Sequence, residues 1–304
     1  TNIFTDIFTE SILRINPELD ADSVKRVYQE VSLALDYEDL GHAFYEMLIA
    51  TSGTKLIDFE NFNNNSFHVV TELNYKNGDD EFRPDVILLI NGMPLAFVEV
   101  KKPNNHDGIL QERNRINVRF RNPKFRKFIN ISQLLVFSNN MEYDTDSIEP
   151  IQGAFYSTTS YSNAIFHCFR EEEEFDLPAL LNPEDDDLEN FVLKDNNLAI
   201  IKHSPEFLTN KDPNTPTNRM LTSLFSRERL AMLLKYGIAY VKEGSGLEKH
   251  IMRYPQFFAT KAIEHKLDEG EKKGIIWHTQ GSGKTALAFY NVKYLTDYFH
   301  RKGI

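Results

Sequence analysis

Three residues between positions 83 and 103 have the types and spacing needed for metal-assisted chemistry. This stretch reads RPDVILLINGMPLAFVEVKKP and contains Asp85, Glu99 and Lys101. Glu99 and Lys101 lie two positions apart, so on a strand their side chains point to the same side and those of the flanking valines to the other. Two converging carboxylates bind a hard cation through oxygen, and a neighbouring lysine stabilises charge on phosphorus. This combination is the one that phosphodiester hydrolysis requires.

Two apolar runs joined by a short turn must position these residues. The runs PDVILLI (84–90) and PLAFVEV (94–100) have the composition of strands. Asn91-Gly92 between them is a strong signal for a hairpin, which would bring Asp85 close to the other two residues. Charges are costly in buried strands, and their presence here favours a functional site. The alternative is a Glu-x-Lys pair on an exposed strand face.

A basic stretch follows at 111–128, with the sequence QERNRINVRFRNPKFRKF. Such a stretch is able to neutralise DNA phosphates even though the whole chain is negative. The alternative is the solvated face of a basic helix. The candidate DNA-binding residues are Arg113, Arg115, Arg119, Arg121, Lys124, Arg126 and Lys127, against the single acid Glu112.

A second candidate site lies at 274–290, where the sequence is GIIWHTQGSGKTALAFY. The apolar run 274–277 predicts a buried strand, and Ala286 begins a helical pattern. Strand, glycine loop and helix N-terminus together form a phosphate-binding context. A glycine loop with a surface lysine is the alternative. The predicted ATP-binding residues are Gly281, Ser282, Gly283, Lys284, which would reach the β- and γ-phosphates, and Thr285, which would hold Mg²⁺.

ATP hydrolysis also requires an acidic pair after a second apolar strand. The nearby pair Asp268-Glu269 precedes the loop and follows no strand-like run. This argues against a complete small P-loop NTPase. We expect the segment to be the start of a larger ATP-binding motor that does not hydrolyse ATP by itself.

Composition limits the function classes. The 304 residues suit about two domains, and the net charge of −11 argues against a simple nucleic-acid binder. The single cysteine, Cys168, excludes a disulfide framework and a cysteine-based zinc site. No apolar run approaches the ~20 residues of a membrane span, and no secretory pattern opens the chain. A cytoplasmic protein without membrane association is expected.

The periodicity of the chain predicts an α/β architecture. Helical patterns cover 20–35, 42–50 and 215–241, and further strand-like runs lie at 66–75 and 133–139. Residues 171–189 carry ten acids and no Lys or Arg, which is typical of a solvated linker. The predicted organisation is a first domain at 1–170, an acidic linker and helical connector at 171–250, and the start of the ATP-binding domain at 251–304.

These motifs together resemble a known family. RPDVILLINGMPLAFVEVKKP is similar to the nuclease core of the motor (R) subunits of type I restriction enzymes, which belong to the PD-(D/E)xK nuclease superfamily. RYPQFFATKAIE (253–264), followed by GIIWHTQGSGKT, resembles the Q-motif and motif I of their superfamily 2 translocase. TPTNRMLTSLFS resembles the segment that joins the two. The resemblance implies a mixed central sheet flanked by helices, a helical connector, and the first strand, P-loop and helix of a RecA-like motor lobe.

The resemblance also implies roles for individual residues. Asp85 and Glu99 resemble the metal-binding carboxylates, with the carbonyl of Val100 as a further ligand, and Lys101 resembles the catalytic lysine. Gln256 resembles the glutamine that reads adenine. Many members carry Gln-x-x-x-Tyr on the following helix, whereas here Gln111 is followed by Arg115 in the tyrosine position. Glu46 is a candidate for an additional helical carboxylate.

Two functions remain as hypotheses. The first is the Mg²⁺-dependent DNA endonuclease domain of an ATP-dependent type I restriction subunit, which acts on double-stranded DNA with methyltransferase and specificity subunits. The second is a non-cleaving DNA-binding or assembly module that precedes a helicase. A binding module has no need for Asp85, Glu99 and Lys101 together, so this triad separates the two hypotheses.

Overall fold

The structure is a computed structural model that describes residues 2–103, 105, 107–143, 145–146, 152–174, 176–181, 185–244 and 246–303. Three α-helices precede the first strand: α1 (Thr5–Ile15), α2 (Ala21–Ala34) and α3 (His42–Leu48). The side chain of Asp20 accepts a hydrogen bond from Ser23 N at 2.8 Å and thereby caps α2. The helices predicted at 20–35 and 42–50 are confirmed.

A mixed six-stranded sheet forms the centre of the molecule, as the α/β prediction requires. Its strand order is β1-β4-β5-β6-β7-β8, with β5 and β6 parallel and the other neighbours antiparallel. Four of these strands coincide with the runs predicted from the sequence. Their bounds are β1 (Phe67–Thr71), β4 (Val86–Ile90), β5 (Met93–Val100), β6 (Leu134–Ser138), β7 (Ala154–Ser157) and β8 (His167–Cys168), with β2 (Tyr75–Asn77) and β3 (Asp80–Phe82) forming a separate hairpin.

The predicted Asn91-Gly92 turn joins β4 and β5. Ile90 pairs with Met93, and both turn residues have positive φ angles, 50° at Asn91 and 76° at Gly92. Two positive φ angles define the turn type whose twist matches a tight hairpin, and Asn-Gly is its preferred sequence. The turn packs against α1, because Phe4 N donates to Gly92 O at 2.9 Å. The hairpin register starts from this turn and shifts by one residue at a bulge between Leu88 and Leu89 before it reaches Asp85 and Glu99.

Replacing Gly92 by alanine should destabilise the protein more than the same change at Gly53. Both glycines have a φ of +76°, and an alanine there costs about 1–2 kcal/mol. A Cβ at Gly92 would also lie 2.6 Å from Phe4 O, whereas one at Gly53 meets nothing within 4 Å. We expect Gly92→Ala to lose roughly 1–3 kcal/mol more in free energy of unfolding, measured by urea titration. Equal losses at the two positions would contradict this packing.

The remaining elements are helical except for one hairpin. They are α4 (Gly108–Phe120), α5 (Arg126–Ile131), α6 (Leu177–Leu180), α7 (Asp186–Asp195), α8 (Pro205–Lys211), α9 (Pro216–Leu224), α10 (Arg227–Tyr236), β9 (Ile238–Glu243), β10 (Gly246–Ile251), α11 (Tyr254–Asp268) and α12 (Lys284–Lys302). None of the helices in the described part of the chain has the length and apolar character needed to cross a membrane.

The prediction of one continuous helical segment at 215–241 is wrong. The structure divides it into α9 and α10 and then into β9. Ser226 has an extended ψ of 142°, which ends the first helix and begins the second. After Gly237 the chain pairs with β10, because Ile238 and Ala239 are buried and Ile238 is opposite Ile251. Pairing between strands distant from the helical pattern thus overrode the local periodicity.

Two apolar clusters cover the two faces of the sheet. The cluster on one face contains Val98 and Val136 and includes residues of α1–α3 and of α9–α12, such as Phe8 of α1 and Tyr290 of α12. The other contains Phe97 and residues of α4 and α5. From Ala96 to Val98 successive residues of β5 enter opposite clusters, as period-two geometry requires. Glu99, two positions after Phe97, therefore belongs to the face that α4 covers.

Part of the acidic run 171–189 is packed and charge-paired. Glu171 and Glu173 each form an ion pair at 2.7 Å with Arg229, whose side chain is 3% exposed. Residues 175 and 182–184 of the run lie outside the described residues. One core spans residues on both sides of positions 170 and 250, and the three-part domain division remains a prediction.

Candidate active site

Asp85 and Glu99 lie next to each other at adjoining strand ends. Val86 at the start of β4 pairs with Val98 near the end of β5. Asp85 precedes Val86 and Glu99 follows Val98, so the two residues lie at the same end of the paired strands. Val100 N donates to Asp85 Oδ2 at 2.8 Å, and Asp85 N lies 3.4 Å from Glu99 Oε2. Each carboxylate is thus held by the backbone of the other's strand.

Lys101 joins this pair from the end of β5. Its backbone nitrogen donates to Ser138 O at 2.7 Å, which continues the parallel pairing with β6 beyond the strand. Its Nζ lies 3.0 Å from Glu99 Oε1. The structure therefore brings the three residues predicted from the sequence into one cluster.

The charges in the cluster influence one another. Burial raises the pKa of the Glu99 carboxyl, and the negative charge of Glu112 raises it further, against the hydrogen bond from Lys101. Burial alone would lower the pKa of Lys101, but its hydrogen bond with Glu99 and the charge of Glu112 outweigh burial and raise this pKa. Lys101 is therefore held in its charged form, and the Glu99 carboxyl binds a proton more readily than a solvated carboxyl does.

Oxygen donors at this edge fit a hard divalent cation. Asp85 is half-buried, and Glu99 is 5% exposed. Val100, the source of the predicted carbonyl ligand, is 44% exposed, so the cluster lies at a rim that solvent reaches. Mg²⁺ is commonly bound by one or two carboxylates and keeps several waters, which this rim allows.

Glu112 is a further member of the cluster that the sequence analysis did not identify. It lies on α4, is 0% exposed, and its Oε2 is 3.3 Å from Lys101 Nζ. A signal existed in the sequence, because Ile109, Glu112, Ile116 and Phe120 follow one another at helical spacing and all are buried. A glutamate within such an apolar stripe marks an inward-facing charge.

The other helical candidates lie elsewhere. Gln111 is exposed, because it is one position away from the inward-facing stripe of α4. Glu46 is exposed on α3, where its Oε1 lies 3.5 Å from His42 Nε2. The structure therefore places neither residue in the cluster, and Glu112 occupies the helical position beside Lys101.

Most of the predicted DNA-binding residues contact acids or amides of the chain itself. The nitrogen–oxygen distances are 3.2 Å for Arg115–Glu112, 3.3 Å for Arg119–Glu112, 2.7 Å for Arg121–Asn163, 3.4 Å for Lys124–Asp80, 3.6 Å for Arg126–Glu38 and 2.9 Å for Lys127–Asp36. Arg113 is half-buried, and the side chain of Arg115 is 60% exposed. These pairs reduce the net positive charge of the stretch, and its contact with DNA stays a prediction.

The glycine loop leads into helix α12. The prediction of a strand at 274–277, before the loop, is wrong. Among the described residues none pairs with 274–277, and Ile275 and Trp277 are 89% and 90% exposed. Strand formation depends on a neighbouring strand that bonds the backbone, which local composition does not supply. The helix itself starts at Lys284, directly after Gly283.

Contacts with α11 define the shape of this loop. Gln256 is 3% exposed, and its Nε2 donates to Gly283 O at 3.0 Å. A Cβ at Gly283 would lie 2.5 Å from both Arg253 Nη2 and Gln256 Nε2, which is too close. The φ angle of +82° at this position also favours glycine. Lys284 Nζ donates to the carbonyl oxygens of His278 and Thr279 at 3.2 and 2.9 Å.

The remaining loop residues and the nearby acid have different surroundings. Thr285 is exposed at the helix start, and Ser282 is half-buried. Asp268 lies at the end of α11, where it accepts hydrogen bonds from Tyr298 Oη at 2.6 Å and Lys302 Nζ at 2.8 Å. These bonds connect α11 with the far end of α12, so Asp268 is a structural residue.

Residues 1–145 match the family described as the type I restriction enzyme R protein N terminus. This region of the chain is similar to that family. Asp85, Glu99, Lys101 and Glu112 all lie within the matched residues. Residues 255–304, which contain Gln256 and the glycine loop, match the SWI2/SNF2 ATPase family.

Individual relatives agree with this assignment. A chain named as a type I restriction enzyme endonuclease subunit of Methanocaldococcus jannaschii is 28% identical over 323 aligned positions, which cover 96% of this chain and 28% of that protein. The type I restriction enzyme HindI endonuclease subunit of Haemophilus influenzae is 24% identical over 323 positions, which cover 97% of this chain and 26% of that protein. The chain spans about a quarter of the length of these curated relatives.

Proposed function

We propose that this chain is the Mg²⁺-dependent DNA endonuclease region of a type I restriction R subunit. The observation that carries the proposal is the convergence of Asp85, Glu99 and Lys101, with Lys101 Nζ 3.0 Å from Glu99 and Asp85 bonded to the backbone of the Glu99 strand. Relatives that bear the name of restriction endonuclease subunits support the same reaction class.

Each residue has a distinct part in the proposed hydrolysis. Asp85 and Glu99, with the Val100 carbonyl, would hold Mg²⁺. The ion, when bound, supplies an activated water and polarises the phosphate. Lys101 stabilises the charge that develops on the phosphate oxygens as the bond to the leaving oxygen breaks. The raised pKa of Lys101 keeps this side chain charged throughout.

The C-terminal part of the chain belongs to an ATP-driven motor in this proposal. Gly281, Ser282, Gly283 and Lys284 would cradle the phosphates of ATP, Thr285 would contact its Mg²⁺, and Gln256 would read the adenine. Gln256 contacts the loop through Gly283 O, so the proposed adenine-reading residue lies beside the proposed phosphate loop. In the longer protein, cytoplasmic translocation on double-stranded DNA, with methyltransferase and specificity subunits, would precede cleavage.

Asp85→Asn should weaken Mn²⁺ binding by the chain at least about tenfold, because an amide is a poorer ligand than a carboxylate. Calorimetric titration of Mn²⁺ measures this. A second possible metal group must be separated from it: Glu243, Glu248 and His250 have ligand atoms within 4.8 Å of one another. We therefore pair Asp85→Asn with His250→Ala. An unchanged affinity in Asp85→Asn, together with a loss in His250→Ala, would show that the metal binds at the β9–β10 hairpin.

A further inference from the structure

Glu112 contacts three positively charged side chains, although one positive charge would balance its own. Its Oε2 lies 3.3 Å from Lys101 Nζ and 3.2 Å from Arg115 Nη1, and its Oε1 lies 3.3 Å from Arg119 Nη1. The side chain of Glu112 is 1% exposed, so it is shielded from solvent by α4 and the sheet. A buried carboxylate is costly unless it is paired, and the two arginines already provide that pairing. The contact with Lys101 therefore calls for a separate explanation.

The geometry around Lys101 provides one. Its ammonium group is shared by two carboxylates, Glu99 at 3.0 Å and Glu112 at 3.3 Å. Glu99 is also a proposed metal ligand, and an ammonium group that bonded to Glu99 alone would compete with the metal for its oxygens. Glu112 gives the ammonium group a second carboxylate partner, so the charge of Lys101 is not taken up by Glu99 alone. Because Glu112 is buried, it acts on the reacting phosphate through the side chains it contacts, of which Lys101 alone is bonded to Glu99.

We propose that Glu112 is a positioning residue that holds Lys101 Nζ between two carboxylates, where it faces the scissile phosphate and leaves Glu99 available to the metal. This inference rests on the proposed nuclease function. It predicts that Glu112 acts through Lys101, so that the loss of Glu112 costs little further rate once Lys101 has been removed.

The surroundings of Glu112 allow its charge to be removed. In Glu112→Gln the amide keeps nearly the same shape and an oxygen acceptor. The side chain of Arg115 is 60% exposed and is solvated without its partner, and Arg119 keeps its position 4.6 Å above the Phe82 ring. Glu46→Gln is the matched control, since it makes the same change at an exposed helical glutamate.

A double-mutant cycle tests the inference, with the full-length R subunit, its partner subunits, Mg²⁺, ATP and plasmid DNA. Strand cleavage, ATP turnover and the KM for DNA are measured for Glu112→Gln, Lys101→Ala, the double mutant and Glu46→Gln. We expect cleavage to slow about 10–10²-fold in Glu112→Gln with unchanged KM and ATP turnover. The double mutant should be no more than about threefold slower than Lys101→Ala, because coupled residues are not additive. Glu46→Gln should match the wild type.

The possible outcomes separate this inference from the proposed function. Wild-type cleavage by Lys101→Ala would overturn both. An inactive Lys101→Ala with a wild-type Glu112→Gln, or two losses that multiply in the double mutant, would overturn the positioning role alone. If Glu112→Gln does not fold, Glu112→Asp keeps the charge but withdraws the carboxylate from Lys101 Nζ, and it should slow cleavage with unchanged KM. Wild-type cleavage by Glu112→Asp would then overturn the inference.

Discussion

Lys101→Ala should leave DNA uncut while ATP turnover continues at the wild-type rate. The lysine acts mainly on charge that appears in the transition state, so its loss slows cleavage far more than it weakens binding. Groups of this kind contribute about 10²–10³-fold in rate. The measurement follows strand cleavage and ATP turnover side by side in the full-length R subunit with its partner subunits.

Lys102→Ala is the matched control for this prediction. Lys102 is the next residue in the chain and is exposed, whereas Lys101 contacts both Glu99 and Glu112. Both variants remove one positive charge from the same short segment, so a general loss of DNA affinity would affect them alike. If Lys101→Ala cleaves as fast as Lys102→Ala, the non-cleaving assembly module becomes the better hypothesis.

Lys284→Ala should abolish ATP turnover, and with it any cleavage that depends on translocation. The residue begins α12 and is exposed, so its removal breaks two hydrogen bonds within the loop but leaves the apolar core unchanged. A lysine that contacts the β- and γ-phosphates stabilises the charge of phosphoryl transfer, and its loss should cost at least about 10²-fold in turnover.

This prediction is tested by measuring ATP turnover and strand cleavage of Lys284→Ala in the same assay, together with its thermal unfolding. Lys273→Ala, an exposed lysine in the segment before the loop, serves as the control and should turn over ATP normally. Normal turnover by Lys284→Ala would refute the assignment of the loop. The two lysine variants should also differ from each other, because Lys101→Ala separates hydrolysis of ATP from cleavage, whereas Lys284→Ala stops both.

The sequence was sufficient wherever the determining interactions are local or follow strand geometry. Asn91-Gly92 fixes a tight turn, and the period-two alternation of the two strands then decides which residues share a face. Asp85 and Glu99 lie at the ends of strands joined by this turn, so the hairpin predicts that they are close together. Their direct opposition also depends on a bulge between Leu88 and Leu89, where the pairing shifts by one residue. Lys101 shares a face with Glu99 because the two are two positions apart, so the proximity of the three residues was predictable, whereas the bulge was not.

The tertiary structure decided what depends on contacts between distant segments. The rotation of α4 against the sheet turns Glu112 inward and Gln111 outward, although the two are neighbours in sequence. Arg126 and Lys127 meet acids about 90 positions away, which a count of basic residues does not reveal. Residues 274–277 have the composition of a strand but form none, because a strand is stabilised by bonds to a neighbour. Local signals specify turns and faces, whereas the orientation of a helix and the pairing of charges depend on the packing of the whole core.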